Sequence, residues 1–142
     1  MKLKLAVIAF VPLATAFVLA QEKTVWDGAY TDEQANRGKQ LYSDTCASCH
    51  GPELTGGEMA PPLVGGDFAA DWDGLTLGDL FDRIRISMPQ NAPGSLSGAQ
   101  NADILAFVLQ ANKFPSGQTE LAKDSMMLKS IKFVTKKPEP QS

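Results

Sequence analysis

The sequence predicts an all-α fold with three main helices joined by long loops. In three segments apolar residues recur at helical spacing, and a Thr or Ser suited to cap a helix precedes each of them. No segment shows the alternation of polar and apolar residues that a half-buried strand requires. Between the first two segments, residues 51–73 are rich in glycine and proline. A loop this long is unusual in a compact domain, so we expect it to wrap something other than protein.

The first helix is predicted to run from just after Thr31 to about Thr45. Thr31 suits the N-cap position, and Gln34 three residues later completes a capping-box pattern. Gly38 lies in the interior of this helix, where a glycine costs about 1 kcal/mol against alanine. We therefore interpret Gly38 as a point at which another helix approaches closely.

The second and third helices follow the long loop. Thr76 is suited to cap the second helix, which is predicted to extend to about Ser87. Pro89 ends this helix and keeps Met88 out of helical geometry, because a residue that precedes proline disfavours the α region. The third helix is predicted over residues 98–111, after a serine cap.

Residues 1–20 have the pattern of a secretory signal peptide. Lys2 and Lys4 precede an apolar run over residues 5–19, and small residues stand at both positions that a signal peptidase reads before a cut after Ala20. The alternative is an uncleaved membrane anchor, which the short apolar run disfavours because a spanning helix needs about 20 apolar residues. The prediction is therefore export to the periplasm or a comparable compartment.

The rest of the chain is predicted to have three parts. Residues 21–30 form an irregular N-terminal arm, residues 31–114 form the helical domain, and residues 115–142 form a polar, lysine-rich tail. Three alternatives stay open for the tail: a strap over the domain surface, a segment that binds a partner, or a solvated extension.

The composition restricts the partners. The chain is 44% hydrophobic and 20% charged, which disfavours bulk disorder. Without Lys2 and Lys4 the mature chain carries 11 basic and 16 acidic side chains, a net charge of −5. This balance argues against binding to nucleic acid and against recruitment by a strongly acidic protein surface.

Cys46, Cys49 and His50 form the pattern C-x-x-C-H, which is the signature of c-type haem attachment. Two thiols at this spacing bond the two haem vinyl groups, and the adjacent histidine supplies an iron ligand. Zinc would need four ligands, and the chain has no further Cys or His. A thioredoxin-like dithiol begins a helix after a strand, whereas this pair ends a predicted helix. We therefore predict one covalently bound haem c and its iron as the cofactor.

The second axial ligand of the iron is predicted to be Met88. His50 is the single histidine, so a second imidazole from this chain is excluded. Met88 lies 38 residues beyond His50, which is enough chain to reach the other face of a macrocycle. The other methionines lie in the signal peptide, close after His50 or in the tail, and are Met1, Met59, Met126 and Met127. Two protein ligands leave no open site for a substrate, so we expect an electron carrier that is not an enzyme.

With these residues placed, the sequence resembles class I cytochromes c from about Thr31 to Phe114. Four segments carry the resemblance: Gly38-Lys39-Gln40-Leu41-Tyr42, Pro61-Pro62-Leu63, Ile86-Ser87-Met88-Pro89 and Asp103-Ile104-Leu105-Ala106-Phe107-Val108. The resemblance implies the cytochrome c fold for residues 31–114, with its three helices and long loops around one haem.

The resemblance also implies roles for single residues. The carbonyl of Pro61, with Pro62 as the second choice, would accept the Nδ1–H of His50. Gly38 would contact Phe107 of the last helix. Trp72 either bonds a haem propionate through its indole N–H or only packs.

Residues 56–63 and Met88-Pro89 further resemble cytochromes that serve periplasmic dehydrogenases, including quinoprotein alcohol dehydrogenases. This implies single-electron transfer in the periplasm, with a dehydrogenase as donor and another cytochrome or an oxidase as acceptor. Two alternatives remain. The chain is an electron-accepting subunit of a dehydrogenase complex, or it is a ligand-sensing haem protein with a labile Met88.

Overall fold

The computed structural model describes residues 22–139. The predicted signal peptide lies outside the described residues. The helices are α1 (Asp32–Thr45), α2 (Ala47–His50), α3 (Gly65–Trp72), α4 (Leu77–Ser87), α5 (Gly98–Ala111) and α6 (Ser125–Leu128). Two short strands, β1 (Lys23–Thr24) and β2 (Ile131–Lys132), pair in parallel with Lys23 opposite Ile131. Among residues 22–139, none of the helices has both the length and the apolar character needed to cross a membrane.

The three main helices α1, α4 and α5 occur where the sequence predicts them, and the all-α fold is confirmed. Side-chain caps begin each of them. Thr76 and Ser97 form complete capping boxes with Asp79 and Gln100 at the starts of α4 and α5. These caps satisfy N–H groups that have no partner inside the helix, so each start is determined by local sequence.

The cap of α1 differs from the prediction. The Thr31 hydroxyl accepts the backbone N–H of Gln34 at 3.2 Å. The Gln34 side chain, however, is buried and bonds the backbone of Leu121 instead of returning to Thr31. A buried backbone segment needs hydrogen-bond partners, and the amide of Gln34 supplies them to the tail.

Helices α1 and α5 pack against each other and form the centre of the fold. A Cβ at Gly38 would overlap the backbone carbonyl of Asp103, so the close approach that the sequence predicts is present. The residues nearest to Gly38 are Asp103 and Ile104, about one turn before Phe107. Phe107 packs on Tyr42, with ring centroids 5.3 Å apart.

Helix α3 was not predicted, because it lies in the stretch expected to be a loop. It begins with two glycines, has one buried residue, Phe68, and spans only 8 residues, which is too short for a sequence pattern to separate it from the surrounding loop. Phe68 lies in an edge-to-face arrangement with Phe133 at a centroid distance of 6.0 Å and also packs near Trp72. Tertiary packing of Phe68 thus stabilises a helix that local sequence does not indicate.

Of the three alternatives for the tail, the structure shows the strap up to Thr135, whose N–H donates to Asp73; residues 136–139 are exposed. Leu121, Leu128 and Phe133 are buried in the core. Phe133 exchanges backbone hydrogen bonds with Gly74 and Leu75, each at 2.8 Å, just before α4. Together with the pairing of β1 and β2, these bonds tie residues near both ends of the described segment to the same side of the domain.

Candidate functional site

Cys46, Cys49 and His50 lie at the junction of α1 and the single turn of α2. The N–H of Cys46 donates to Tyr42 at the end of α1, and the N–H groups of Cys49 and His50 both donate back to the carbonyl of Cys46, at 3.1 and 3.0 Å. The two cysteines do not form a disulfide with each other. Cys46 is half-buried, which raises the pKa of its thiol, and Cys49 is exposed. The two cysteines thus lie about one helical turn apart, and the second directly precedes the histidine.

The imidazole of His50 is held by the loop that follows it. Its Nδ1 lies 2.9 Å from the carbonyl oxygen of Pro61, and the residue is 7% exposed. A carbonyl oxygen can only accept, so in this bond Nδ1 carries the proton and the lone pair is on Nε2. This is the tautomer that a metal requires at Nε2. The structure therefore brings together His50 and Pro61, the first choice of the sequence analysis.

The backbone of the same loop also contacts His50. The N–H of Gly56 donates to the carbonyl of His50 at 2.8 Å. Gly56 has a φ of +74°, and a Cβ there would lie 2.7 Å from the carbonyl carbon of Pro61. Only glycine fits this position without displacing Pro61. The sequence predicts no separate role for Gly56, which stands in the stretch rich in glycine and proline.

Tyr42 is a second residue of the site that the sequence analysis did not assign. Its hydroxyl donates to the carbonyl of Gly51 at 2.6 Å, directly after His50 in the chain. The side chain is almost fully buried, and burial, together with the nearby Cys46 thiol, raises the pKa of Tyr42 to about 12. The hydroxyl therefore remains a hydrogen-bond donor throughout the physiological pH range.

Met88 lies directly after α4. Its backbone is extended, with φ −122° and ψ 152°, and its N–H donates to Ile84 at 2.9 Å. Among the four methionines that the structure describes, Met88 alone is half-buried. The others are 77%, 73% and 65% exposed; they are Met59, Met126 and Met127. Met59 also borders an open cavity of about 570 Å³ lined by residues 55–62. Burial thus distinguishes Met88 as the thioether least available to solvent.

Trp72 ends α3 and is half-buried against the core. Its ring centroid lies 6.4 Å from that of Phe68. This packing accounts for the position of the indole ring, whereas its predicted bond to a haem propionate stays a prediction.

The donor atoms suit a haem better than a bare metal ion. In the part of the chain that the structure describes, no three His, Cys, Asp or Glu residues are arranged to hold a metal ion. With Cys46 and Cys49 used for covalent attachment, the predicted ligands that would hold the iron are the imidazole of His50 and the thioether of Met88. The other iron ligands must then arrive with the metal, as the four nitrogens of a porphyrin do. The residues present therefore fit a covalently attached haem.

Comparisons with known proteins agree with this arrangement. The family described as cytochrome c oxidase, cbb3-type, subunit III matches residues 33–108. Thiosulfate dehydrogenase of Stutzerimonas stutzeri (strain A1501) is 35% identical over 80 residues, covering 51% of this chain. The match spans only 25% of that relative's length.

Among solved structures, the sulfane dehydrogenase SoxCD from Paracoccus pantotrophus matches with a TM-score of 0.52 and 23% identity. This match covers 83% of this chain and 68% of that chain. At this identity the likeness concerns the fold alone, and it extends beyond residues 33–108.

Proposed function

Because the chain belongs to the cytochrome c family described as cytochrome c oxidase, cbb3-type, subunit III, we propose that it carries single electrons between exported redox proteins. The predicted covalently bound haem c and the predicted role in electron transfer are confirmed by this family match. The residues that hold the haem, the partners and the compartment are proposals, and each has its own support.

We assign the covalent attachment to Cys46 and Cys49 and the axial ligation to His50 and Met88. The bond between Nδ1 of His50 and the carbonyl of Pro61 carries the assignment, because it leaves Nε2 free to bind iron. The half-burial of Met88 supports the second ligand, since the other described methionines are exposed.

The haem, when bound, supplies an iron that gains and loses one electron. The residues of this chain set the conditions for that exchange. The two cysteines tether the macrocycle, Pro61 keeps the proton of His50 on Nδ1, and Met88 offers a soft sulfur that favours the reduced state. If His50 and Met88 both hold the iron, the haem would have no open site for a substrate, and we therefore propose electron transfer and assign no catalytic reaction to the chain.

The test of the ligands is a pair of variants, Met88→Ala and Met59→Ala. Oxidised wild-type protein is expected to show the weak far-red band of Fe(III)–thioether coordination, and Met88→Ala is expected to lose it. The reduced Met88→Ala protein should bind carbon monoxide, whereas the wild type at neutral pH should not. Met59→Ala should behave as wild type, because its side chain is exposed. If the band survives in Met88→Ala, the ligand assignment is wrong, and carbon monoxide binding by the wild type would favour the ligand-sensing alternative.

For the compartment, we propose the periplasm or a comparable exported location. A dehydrogenase is the proposed electron donor and another cytochrome or an oxidase is the proposed acceptor. The signal-peptide pattern of residues 1–20 supports export, and the match to a thiosulfate dehydrogenase supports a dehydrogenase as partner. Mature protein from the periplasmic fraction should begin at Gln21, and an intact N-terminus in the membrane fraction would contradict the proposal.

A second candidate function is that of an electron-accepting subunit held by a dehydrogenase. One observation favours it: Met126 and Met127 are exposed side by side on α6, while Leu128 of the same helix is buried. Exposed apolar side chains on a fixed element are typical of protein interfaces, in which methionine is enriched. A Met126→Ser/Met127→Ser variant should then lose the complex but keep its stability. A wild type that is purely monomeric in gel filtration with its dehydrogenase would count against this candidate.

A further inference from the structure

We propose that Tyr42 is a positioning residue for His50. The hydroxyl of Tyr42 fixes the backbone directly after the histidine and thereby the hydrogen bond between the imidazole and the carbonyl of Pro61. The inference rests on the proposed function, because it takes His50 to be the iron ligand.

The bond from Tyr42 to Gly51 crosses the end of α1. The hydroxyl lies 2.6 Å from the carbonyl oxygen of Gly51, nine residues further along the chain. Gly51 has a φ of +79°, so the chain leaves α2 here through a conformation that glycine adopts readily. The tyrosine ring is 2% exposed and packs on Phe107, which leaves the hydroxyl little freedom to move. A rigid donor thus holds the flexible residue that follows His50.

Beyond Gly51 the loop folds back and makes hydrogen bonds with two atoms of His50. The N–H of Gly56 donates to the backbone carbonyl of His50 at 2.8 Å, and the carbonyl of Pro61 accepts from Nδ1 at 2.9 Å. Gly56 and Pro61 are themselves in close backbone contact. The loop therefore closes on both the backbone and the ring of His50, and the hydroxyl of Tyr42 ties its first residue to α1.

Loss of the hydroxyl should act on the iron ligand through this loop. The carbonyl of Gly51 would keep the longer bond from the N–H of Leu54, at 3.2 Å, and would be held less firmly. The bond from Nδ1 of His50 to Pro61 would then weaken on average. An imidazole whose Nδ1–H group makes a weaker hydrogen bond is a poorer electron donor to iron, and this favours the reduced state of the iron.

The chain offers a matched control for this experiment. Tyr30 is also 2% exposed, and its hydroxyl also donates to a backbone carbonyl at 2.6 Å, that of Phe114. This bond joins the N-terminal arm to the residues after α5, away from the loop that holds His50. Tyr42→Phe and Tyr30→Phe thus remove the same group from equally buried rings. A purely structural role for Tyr42 predicts the same outcome for both.

Two measurements on the haem-loaded protein separate the roles. We expect amide hydrogen exchange at Leu54 and Gly56 to be about tenfold faster in Tyr42→Phe than in Tyr30→Phe. We also expect the equilibrium between reduced and oxidised protein to shift towards the reduced form on the order of threefold in Tyr42→Phe alone. For one electron at 59 mV per tenfold, that is a rise in potential of about 28 mV.

The outcomes distinguish the two proposals. If His50 ligates the iron in the wild type and both variants show the same exchange and the same potential, the positioning role of Tyr42 is wrong. If spectroscopy of the wild type shows that His50 is not an iron ligand, the proposed site itself fails, whatever the variants do. Faster loop exchange and a raised potential in Tyr42→Phe alone support the inference.

Discussion

The side-chain amide of Gln34 bonds both backbone polar groups of Leu121. The N–H of Leu121 donates to Oε1 at 2.7 Å, and Nε2 donates to the carbonyl of Leu121 at 3.2 Å. Both residues are buried, and they stand 87 positions apart in the chain. The pair joins α1 to the C-terminal strap at a position where no water is needed to satisfy the backbone of the strap.

Replacing Gln34 by leucine should therefore lower the free energy of unfolding by about 3 kcal/mol. The change leaves a buried N–H and a buried carbonyl of Leu121 without partners, and each such group costs about 1–3 kcal/mol. Denaturant unfolding of the haem-loaded protein measures the loss. Gln40→Leu is the control, because Gln40 bonds only the exposed Asp44 on the same helix; it should change stability by less than about 0.5 kcal/mol. Equal effects of the two substitutions would contradict the prediction.

Two glycines in helices should respond in opposite directions to alanine. Gly38→Ala should destabilise by about 1–3 kcal/mol, because its Cβ would overlap the backbone of Asp103. Gly66 lies in α3 without a positive φ, and a Cβ there would meet nothing within 4 Å beyond its own stretch of helix. Gly66→Ala should therefore stabilise by about 0.5–1 kcal/mol. Thermal unfolding of both variants beside the wild type is the measurement, and a shift of the same sign in both would contradict it.

The main helices and the attachment motif were predictable because their signals are local. The caps of α4 and α5 lie within three residues of the groups they satisfy. The chemistry of haem attachment likewise requires Cys46, Cys49 and His50 at a fixed, short spacing. Such features depend on spacing along the chain, which the sequence displays directly.

Features set by distant parts of the chain were predicted incompletely or missed. Gln34 has the spacing of a capping box, but Leu121 engages its side chain instead. Helix α3 depends on Phe68 packing against Phe133 of the strap. The roles of Gly56 and Tyr42 depend on how the loop after His50 folds back. The path of this loop produces no periodic pattern in the sequence. The close approach at Gly38 was predictable, because a glycine in a helix interior costs stability and so needs a reason. Which residue lies opposite Gly38, here Asp103, depends on the register of two helices.

The strap should contribute a large part of the stability through Phe133. This ring is fully buried and lies edge-to-face against Phe68 and Phe114, with centroids 6.0 and 5.2 Å away. Phe133→Ala should cost about 3–5 kcal/mol, which is typical for removing a buried aromatic ring. Met127→Ala, on the same strap but 65% exposed, should cost less than about 0.5 kcal/mol. A small effect of Phe133→Ala in denaturant unfolding would show that the strap is dispensable for the fold.

The capping box of α4 should make stability depend on pH in the acid range. Bonds from the hydroxyl and the backbone N–H of Thr76 hold the pKa of Asp79 below its usual value. In the unfolded chain these bonds are lost, and the pKa returns to about 3.9. A carboxylate with a lowered folded-state pKa stabilises the fold above its unfolded pKa, and the stabilisation is lost as pH falls through the folded pKa.

Asp79→Asn should therefore flatten the curve of unfolding free energy against pH in the acid range, below the unfolded-state pKa of about 3.9. The variant should be less stable than the wild type at neutral pH, and the difference should shrink as the solution becomes more acidic. Thr76→Ala provides the control, because it removes both hydroxyl bonds with Asp79 but keeps the bond from its backbone N–H to the carboxylate; the pH dependence of its stability should be intermediate in steepness, whatever the loss of the cap does to the height of the curve. Denaturant unfolding at each pH gives the three curves. Parallel curves for the wild type and Asp79→Asn would show that the carboxylate of Asp79 does not support the start of α4.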